Sequence, residues 1–404
     1  MIRGIGPVLC AWMLAVGLLL AWSPRVVAVG LFAVACFSII LSWVSVRQPP
    51  VPRFHVAWAV ALFIAYACLT ALWSAVPGEA REQVAQFIAV FGPALFFFQV
   101  LLSARLDPQG LARRSLMIGL ALGIALFSLE LLADQPLYRL TRGLDFSVTL
   151  GANSINRPAA LCALFVWPLA FALWQQGWRK SAIALPLVLT ALILGSSSQS
   201  ASGGLLVGLG FLAIAALSRR AACYLAGGIM IVGFLFMVPI ATLFDAVGLA
   251  EVEGLPFSIG HRVMIWDFVA DRVMERPIFG WGLEASRGMN NFGVAPPVLF
   301  DGTVELLPLH PHNAFLQVWL ELGGVGAILA LVMALMILRT IRGLPQTAQL
   351  FAYPLLICGF FMSGTAYGSW QTWWMTGFLT AAALFIIVLR SAPEPATGRV
   401  GGDG

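Results

Sequence analysis

Apolar residues run along this chain in blocks of about 20, the length of helix that crosses a bilayer's hydrocarbon, and charge is pushed into the gaps between them. Each block predicts one crossing. Twelve of them fall near 4–22, 26–46, 57–76, 87–103, 115–133, 158–176, 182–198, 202–218, 224–244, 314–338, 350–369 and 375–390. The pair around 182–218 also fits one broken hairpin. The first block, behind Arg3, resembles a signal peptide, but it is long for one and a second block follows almost at once, so it reads as a retained helix. The pattern predicts an all-α, polytopic integral membrane protein with about twelve transmembrane helices.

Composition agrees. The chain is 60% hydrophobic and 10% charged, more apolar surface than a water-soluble domain can hide. Charge then sets the orientation. With both termini cytoplasmic, the inner gaps hold Arg47, Arg53, Arg113, Arg114, Arg179, Lys180, Arg219, Arg220, Arg339 and Arg342, as the positive-inside rule requires. The net charge of +5 is thereby explained without a nucleic-acid partner. All six cysteines fall in predicted helices or at their inner ends, which predicts no disulfide framework. The sequence has no nucleotide-binding glycine loop and no metal-spaced His/Cys cluster, so neither cofactor nor metal is expected. The resulting organisation is nine helices over 1–244, a large outer loop with short helices over 245–313, three helices over 314–390, and a disordered cytoplasmic tail over 391–404.

Only two connections are long, 134–157 and 245–313, and both fall on the outer side. Loops of that length usually carry function. Within the second, "SIGHRVMIWDFVADRVMERPIFGWGLEASR" (258–287) has helical spacing. Arg262, Trp266, Val269 and Val273 form one stripe and Asp267, Asp271 and Glu275 another; Pro277 ends the helix. Two readings stand: an amphipathic helix at the headgroup boundary, or a helix that aims Arg262 at an anion. Further on, "LPLHPHNAFLQVWLELGG" (307–324) sets His310, His312 and Asn313 at the mouth of an apolar helix. Pro311 keeps His310 extended, Asn313 suits the helix cap, and the helix dipole disfavours imidazolium at His312. That leaves His312 neutral and available as a base, against the plainer reading of an interfacial histidine. Glu321 lies about 12 Å deeper at 1.5 Å per residue. There it is either a functional group by default or a structural hydrogen-bonding partner to a neighbouring helix.

Two further segments are polar where the chain is otherwise apolar. "GSSSQSASGG" (195–204), with Gln199, makes either a tight hairpin of small residues or the wall of a polar cavity. "GANSINRPAA" (151–160) places Arg157 just before Pro158 opens a helix, a cation where the dipole repels it. An anion between the two, or snorkelling to headgroups, accounts for that placement.

The order "HRVMIW…ERPIFGWGLEASR…LPLHPHNAFLQVWLELGGVGA" resembles the O-antigen ligase and O-antigen polymerase superfamily, in particular alphaproteobacterial members of the ligase branch. The specific match covers about 258–326, with weaker echoes in "NRPAALCALFVWPLA" and "SSSQSASGGLL". The resemblance implies an inverting, metal-independent glycosyltransferase in the bacterial inner membrane with its active site facing the periplasm. It would move a glycan from undecaprenyl diphosphate to lipid A–core. Polymerisation onto another glycan is the alternative within the superfamily, and a lipid-linked glycan flippase the alternative outside it. The family's histidine carries over to His312 and its loop arginine to Arg262. A second family arginine follows a serine in the hairpin matching "SSSQSASGG"; here Gln199 or Ser200 stands instead, and Arg157 is the expected substitute on the diphosphate. His310, Asn313, Glu321 and Trp266 are expected to support the site.

Overall fold

The computed structural model describes residues 5–22, 24–104, 110–150, 153–252, 257–289, 298–299, 302–303 and 305–391. The tail predicted over 391–404 therefore lies outside the described residues, apart from Ser391. Fourteen helices are described: α1 (Ile5–Trp22), α2 (Pro24–Val46), α3 (His55–Thr70), α4 (Pro77–Ser103), α5 (Leu111–Leu132), α6 (Pro136–Arg142), α7 (Asn153–Gln175), α8 (Arg179–Leu194), α9 (Gln199–Leu217), α10 (Arg219–Ala246), α11 (Phe257–Glu275), α12 (Ala314–Arg342), α13 (Gln346–Thr365) and α14 (Thr372–Arg390). A two-residue antiparallel ladder joins β1 (Val298–Leu299) to β2 (Gly302–Thr303).

Each of the twelve apolar blocks is a helix, and the chain is a multi-pass membrane protein. Among the described residues, ten helices are long and apolar enough to cross a membrane. The apolar stretch of α1 is shorter, and α8 has 16 residues, below the length that spans hydrocarbon unaided. The segment at 182–218 is two helices, turned at 195–198.

Two helices begin earlier than their apolar blocks. Pro77 suits the first turn of α4, with Glu79 at the positive end of the dipole, so the helix starts well before the block at 87. At α7 the expectation that Pro158 opens the helix is corrected: the helix starts at Asn153 and Pro158 lies inside it. Arg157 consequently sits in the second turn rather than ahead of the first. Helix α7 is apolar nearly all round, and 83% of its span is buried. It is the central post of the bundle, as such a pattern requires.

Between α10 and α12 the chain is ordered by packing. The apolar face of α11 (Ile265, Phe268, Val269, Val273) joins Val238 and Ala241 of α10 and Leu316 and Leu320 of α12 in a buried cluster. Helix α11 is thus fastened to the bundle through its apolar stripe.

Helix α12 is broken at Gly323, whose φ of 65° and ψ of −168° are open to glycine and strained for other residues. The segment after Pro277 lies across the break. Gly324 N donates to Pro277 O (2.8 Å), Val325 N to Ile278 O (3.2 Å), Trp281 N to Leu320 O (2.9 Å) and Gly282 N to Glu321 O (2.8 Å). Tyr66 Oη donates to Leu322 O at 3.0 Å. A backbone interrupted at membrane depth must find partners inside the protein, and here the loop supplies them. A side chain at Gly280 would run into the main chain of Glu321.

Candidate active site

The mouth of α12 is built around a cap. Asn313 is 1% exposed, and its Oδ1 accepts from Phe315 N (3.0 Å) and Leu316 N (3.2 Å), satisfying amides that a helix start leaves open. Trp266 of α11 donates from Nε1 to Pro311 O at 2.9 Å, tying the histidine segment to the loop helix. His312 is the residue just before the cap, with φ of 54°. That left-handed turn is rare for a residue with a side chain, and this one swings the imidazole towards the α13–α14 connection. Its Nδ1 lies 2.6 Å from Ala366 O. A carbonyl only accepts, so Nδ1 carries the proton and Nε2 holds the lone pair.

His310 packs its ring 4.4 Å from that of His312, and its Nδ1 faces His312 N at 3.2 Å. Its Nε2 meets the Gln371 amide at 3.2 Å. Burial, reinforced by His312 and Arg287, pushes the His310 imidazole down to about 3. Burial also lowers His312, helped by the nearby charges of Arg262 and His261 and opposed by the Ala366 contact. Both rings are therefore neutral near pH 7.

Arg262 is half-buried on α11 and faces Tyr367, as does Arg157 on α7. Burial raises the Tyr367 phenol, and the Ser200 and Ser198 side chains, then both guanidiniums, counter the rise. Tyr367 Oη donates to Asn156 O at 3.0 Å, and Arg157 lies over the Trp373 ring at 5.6 Å. Gln199, exposed at the start of α9, accepts from Ser258 Oγ at 3.4 Å, four residues before Arg262. The starts of α9 and α11 thus meet beside Tyr367. Neither Arg157 nor Arg262 makes an ion pair among the described residues.

Glu321 is fully buried and every partner donates to it. Glu284 N (2.7 Å) and Trp370 Nε1 (2.6 Å) reach Oε2; Ser286 Oγ (2.8 Å) and Gln317 Nε2 (3.1 Å) reach Oε1. Of the two readings of this residue, the structural one has the geometry. Its carboxylate joins the loop at 284–286, α12 and the α13–α14 connection into one block, and Gln317 passes the link to Ser369 N at 2.8 Å.

Beside this block is a cavity of about 460 Å³ lined by Arg25, Gln83, Gln86, Arg157, Arg287, Trp370, Gln371 and Trp373, among others. Arg157 lines it; Arg262 and His312 do not, and Tyr367 is the neighbour that Arg157 and Arg262 share. Nothing in the sequence singles out Tyr367, Arg25 or Gln371, and Arg287, a cation available in the loop, is set aside there because it follows the glycine turn. The aromatic and amide run "AYGSWQTWW" (366–374) was the only available signal for two of them.

A family model described as O-antigen ligase matches residues 183–331, which hold Gln199, Arg262, Trp266, His310, His312, Asn313 and Glu321. Over that segment the chain is similar to O-antigen ligases. Relatives bearing the provisional name polysaccharide ligase extend the likeness over most of the chain. One from Rickettsia conorii is 26% identical over 352 residues, 86% of this chain and 81% of its own. One from Rickettsia felis is 27% identical over 81% of this chain and 79% of its own, and one from Rickettsia prowazekii 28% identical over 69% and 68%. The likeness to O-antigen ligases and to relatives named polysaccharide ligase supports a ligase-like activity at the level of the family. Arg157, Tyr367 and Arg25 lie outside the segment that the family model matches, in parts of the bundle nearer either end of the chain.

Proposed function

We propose that the protein transfers a glycan from undecaprenyl diphosphate to lipid A–core on the periplasmic side of the inner membrane, inverting the anomeric centre without a metal. The observation that carries this reading is the contact of His312 Nδ1 with Ala366 O, which assigns the ring proton to Nδ1. With its proton fixed on Nδ1 by Ala366 O, Nε2 is the basic atom, beside the cation Arg262. In the proposed step Nε2 takes the proton of an acceptor hydroxyl as its oxygen attacks the anomeric carbon. The bond from that carbon to the diphosphate oxygen breaks on the opposite face, and undecaprenyl diphosphate leaves. Arg262 and Arg157 offset the charge gathering on the leaving group, a role suited to guanidinium because it binds phosphate oxygens in pairs. Gln199 adds a neutral donor. Glycan donors outside the cytoplasm must arrive already activated and held by the membrane, which a prenyl diphosphate satisfies.

Two results test this directly. Arg262→Lys keeps the charge and loses the planar fork, so transfer should fall by at least about tenfold, the worth of one strong contact; an arginine that merely snorkels would be replaced by lysine without loss. For the orientation, Glu305→Cys in a cysteine-free background should react with an impermeant maleimide in intact spheroplasts, while Gln346→Cys should react only after lysis. The reverse pattern would put the site in the cytoplasm and remove the reason for a lipid-linked donor.

A further inference from the structure

Residues 276–284 leave the end of α11 and run down the side of α12 rather than lying across the top of the bundle. Their depth follows from α12 itself. Arg339, in the last turn of that helix, marks one boundary of the hydrocarbon. Gly323 lies sixteen residues before it, about 24 Å along the helix at 1.5 Å per residue. Hydrocarbon is about 30 Å thick, so the break in α12 falls inside the far leaflet. Helix α3 gives a similar level. Tyr66, which donates to Leu322 O at 3.0 Å, stands eleven residues past His55 at the other end of α3, about 17 Å along its axis.

The segment held at that level is 277–280. Pro277 O and Ile278 O accept from Gly324 N and Val325 N, and Gly280 N donates to Arg276 O at 3.1 Å. Further along, Ala75 N donates to Trp281 O (3.3 Å) and Ser74 Oγ to Leu283 O (2.6 Å). Backbone bonded in this way tolerates surroundings without water. The side chains match those surroundings. Ile278 and Phe279 are 60% and 58% exposed. Phe279 meets Trp73 edge-on, ring centres 6.5 Å apart, and Leu72 beside that tryptophan is 81% exposed. The charged residues come just before, at the end of α11. Arg276 lays its guanidinium over Trp281, 3.9 Å from the ring centre, and Arg272 pairs with Glu275 at 2.8 Å. Arginines and a tryptophan next to an apolar tip are the side chains that settle at headgroup level.

We propose that 277–280 is a re-entrant strap. It dips into the leaflet on the α11 side, sets Ile278 and Phe279 against the acyl chains of bilayer phospholipid, and leaves Arg276 at the phosphates. Large apolar side chains exposed together call for a covering, and at this depth hydrocarbon supplies it. The lipid then forms the outer wall of the joint that clamps α12 at Gly323, and the Glu321 carboxylate secures the same joint from the protein side.

Fluorescence quenching tests the depth. In full-length, cysteine-free protein reconstituted into liposomes, Ile278→Cys and Phe279→Cys are each labelled with a bimane, and Asp271→Cys, exposed on α11, is the reference. Phosphatidylcholine brominated on its acyl chains should quench most of the emission at 278 and 279, and aqueous iodide should leave it unchanged. The label at 271 should show the reverse. Iodide quenching at 278 and 279 without an effect of brominated lipid would put the strap in water and overturn the proposal. Quenching by neither would mean that protein, such as a second copy of the chain, covers the patch, and would overturn it equally. Two labelled positions keep the test decisive where one variant fails to fold.

Discussion

His312→Ala is expected to lower glycan transfer about 10²–10⁴-fold, the usual cost of losing a general base, with donor KM nearly unchanged. The reasoning is local. Asn313 fixes the start of α12 and Trp266 fixes Pro311, so neither depends on the imidazole and the fold around the vacancy should hold. The pH dependence gives a second reading of the same residue. Burial depresses His312 below its ordinary value near 6.5, so the neutral, basic form persists into mildly acidic solution. The acidic limb of kcat/KM should therefore fall below pH 6.5 and be absent from the residual activity of the alanine variant. His310→Ala should cost less, because His310 acts on His312 through its backbone N–H and through ring packing. A His310 variant more damaged than the His312 variant would mean that the base has been assigned to the wrong ring.

Glu321→Ala should be the most destabilising single change, on the order of 3–5 kcal/mol, as for breaking a buried charged network. Four donors converge on that carboxylate from three parts of the chain. Without it, Glu284 N and Trp370 Nε1 lose their acceptor in the interior. The loop would then be released from the break in α12, and with it the segment that carries the histidines. Glu321→Gln should be intermediate in melting temperature, since the amide retains one acceptor oxygen and turns its NH₂ towards the two donors of the other. An alanine variant that melts with the parent would show that the loop is held by the backbone bonds at Gly323 alone.

How much of this is legible in the sequence depends on range. Membrane helices are legible because the bilayer imposes a length and a polarity on each block separately, and every block became a helix. The start of α7 was missed because Pro158 looked like a helix opener, whereas the polar residues from Asn153 already continue the helix. His312, Arg262 and Glu321 could be singled out as polar groups in apolar company. Their partners could not. Ser286 is 35 residues and Trp370 49 residues from Glu321, and Ala366 is 54 from His312; no periodicity spans such gaps. Tyr367 gave no signal of its own, being one aromatic residue in a region full of them, yet it is where Arg157 and Arg262 come nearest to a common neighbour. Arg25, in the first turn of α2, carries no signal of its own in the sequence, yet it lines the same cavity as Arg157.

The central claim is that this chain itself joins a lipid-linked glycan to an acceptor, with His312 as the base. Purified protein in detergent, given undecaprenyl-diphosphate-linked glycan and lipid A–core with no membrane gradient, tests it most directly. The account predicts glycan-extended lipid A–core, released undecaprenyl diphosphate in equal amount, product of inverted anomeric configuration, and loss of all three in His312→Ala. A preparation that binds the donor yet forms no product, or one in which His312→Ala performs as well as the parent, would contradict it.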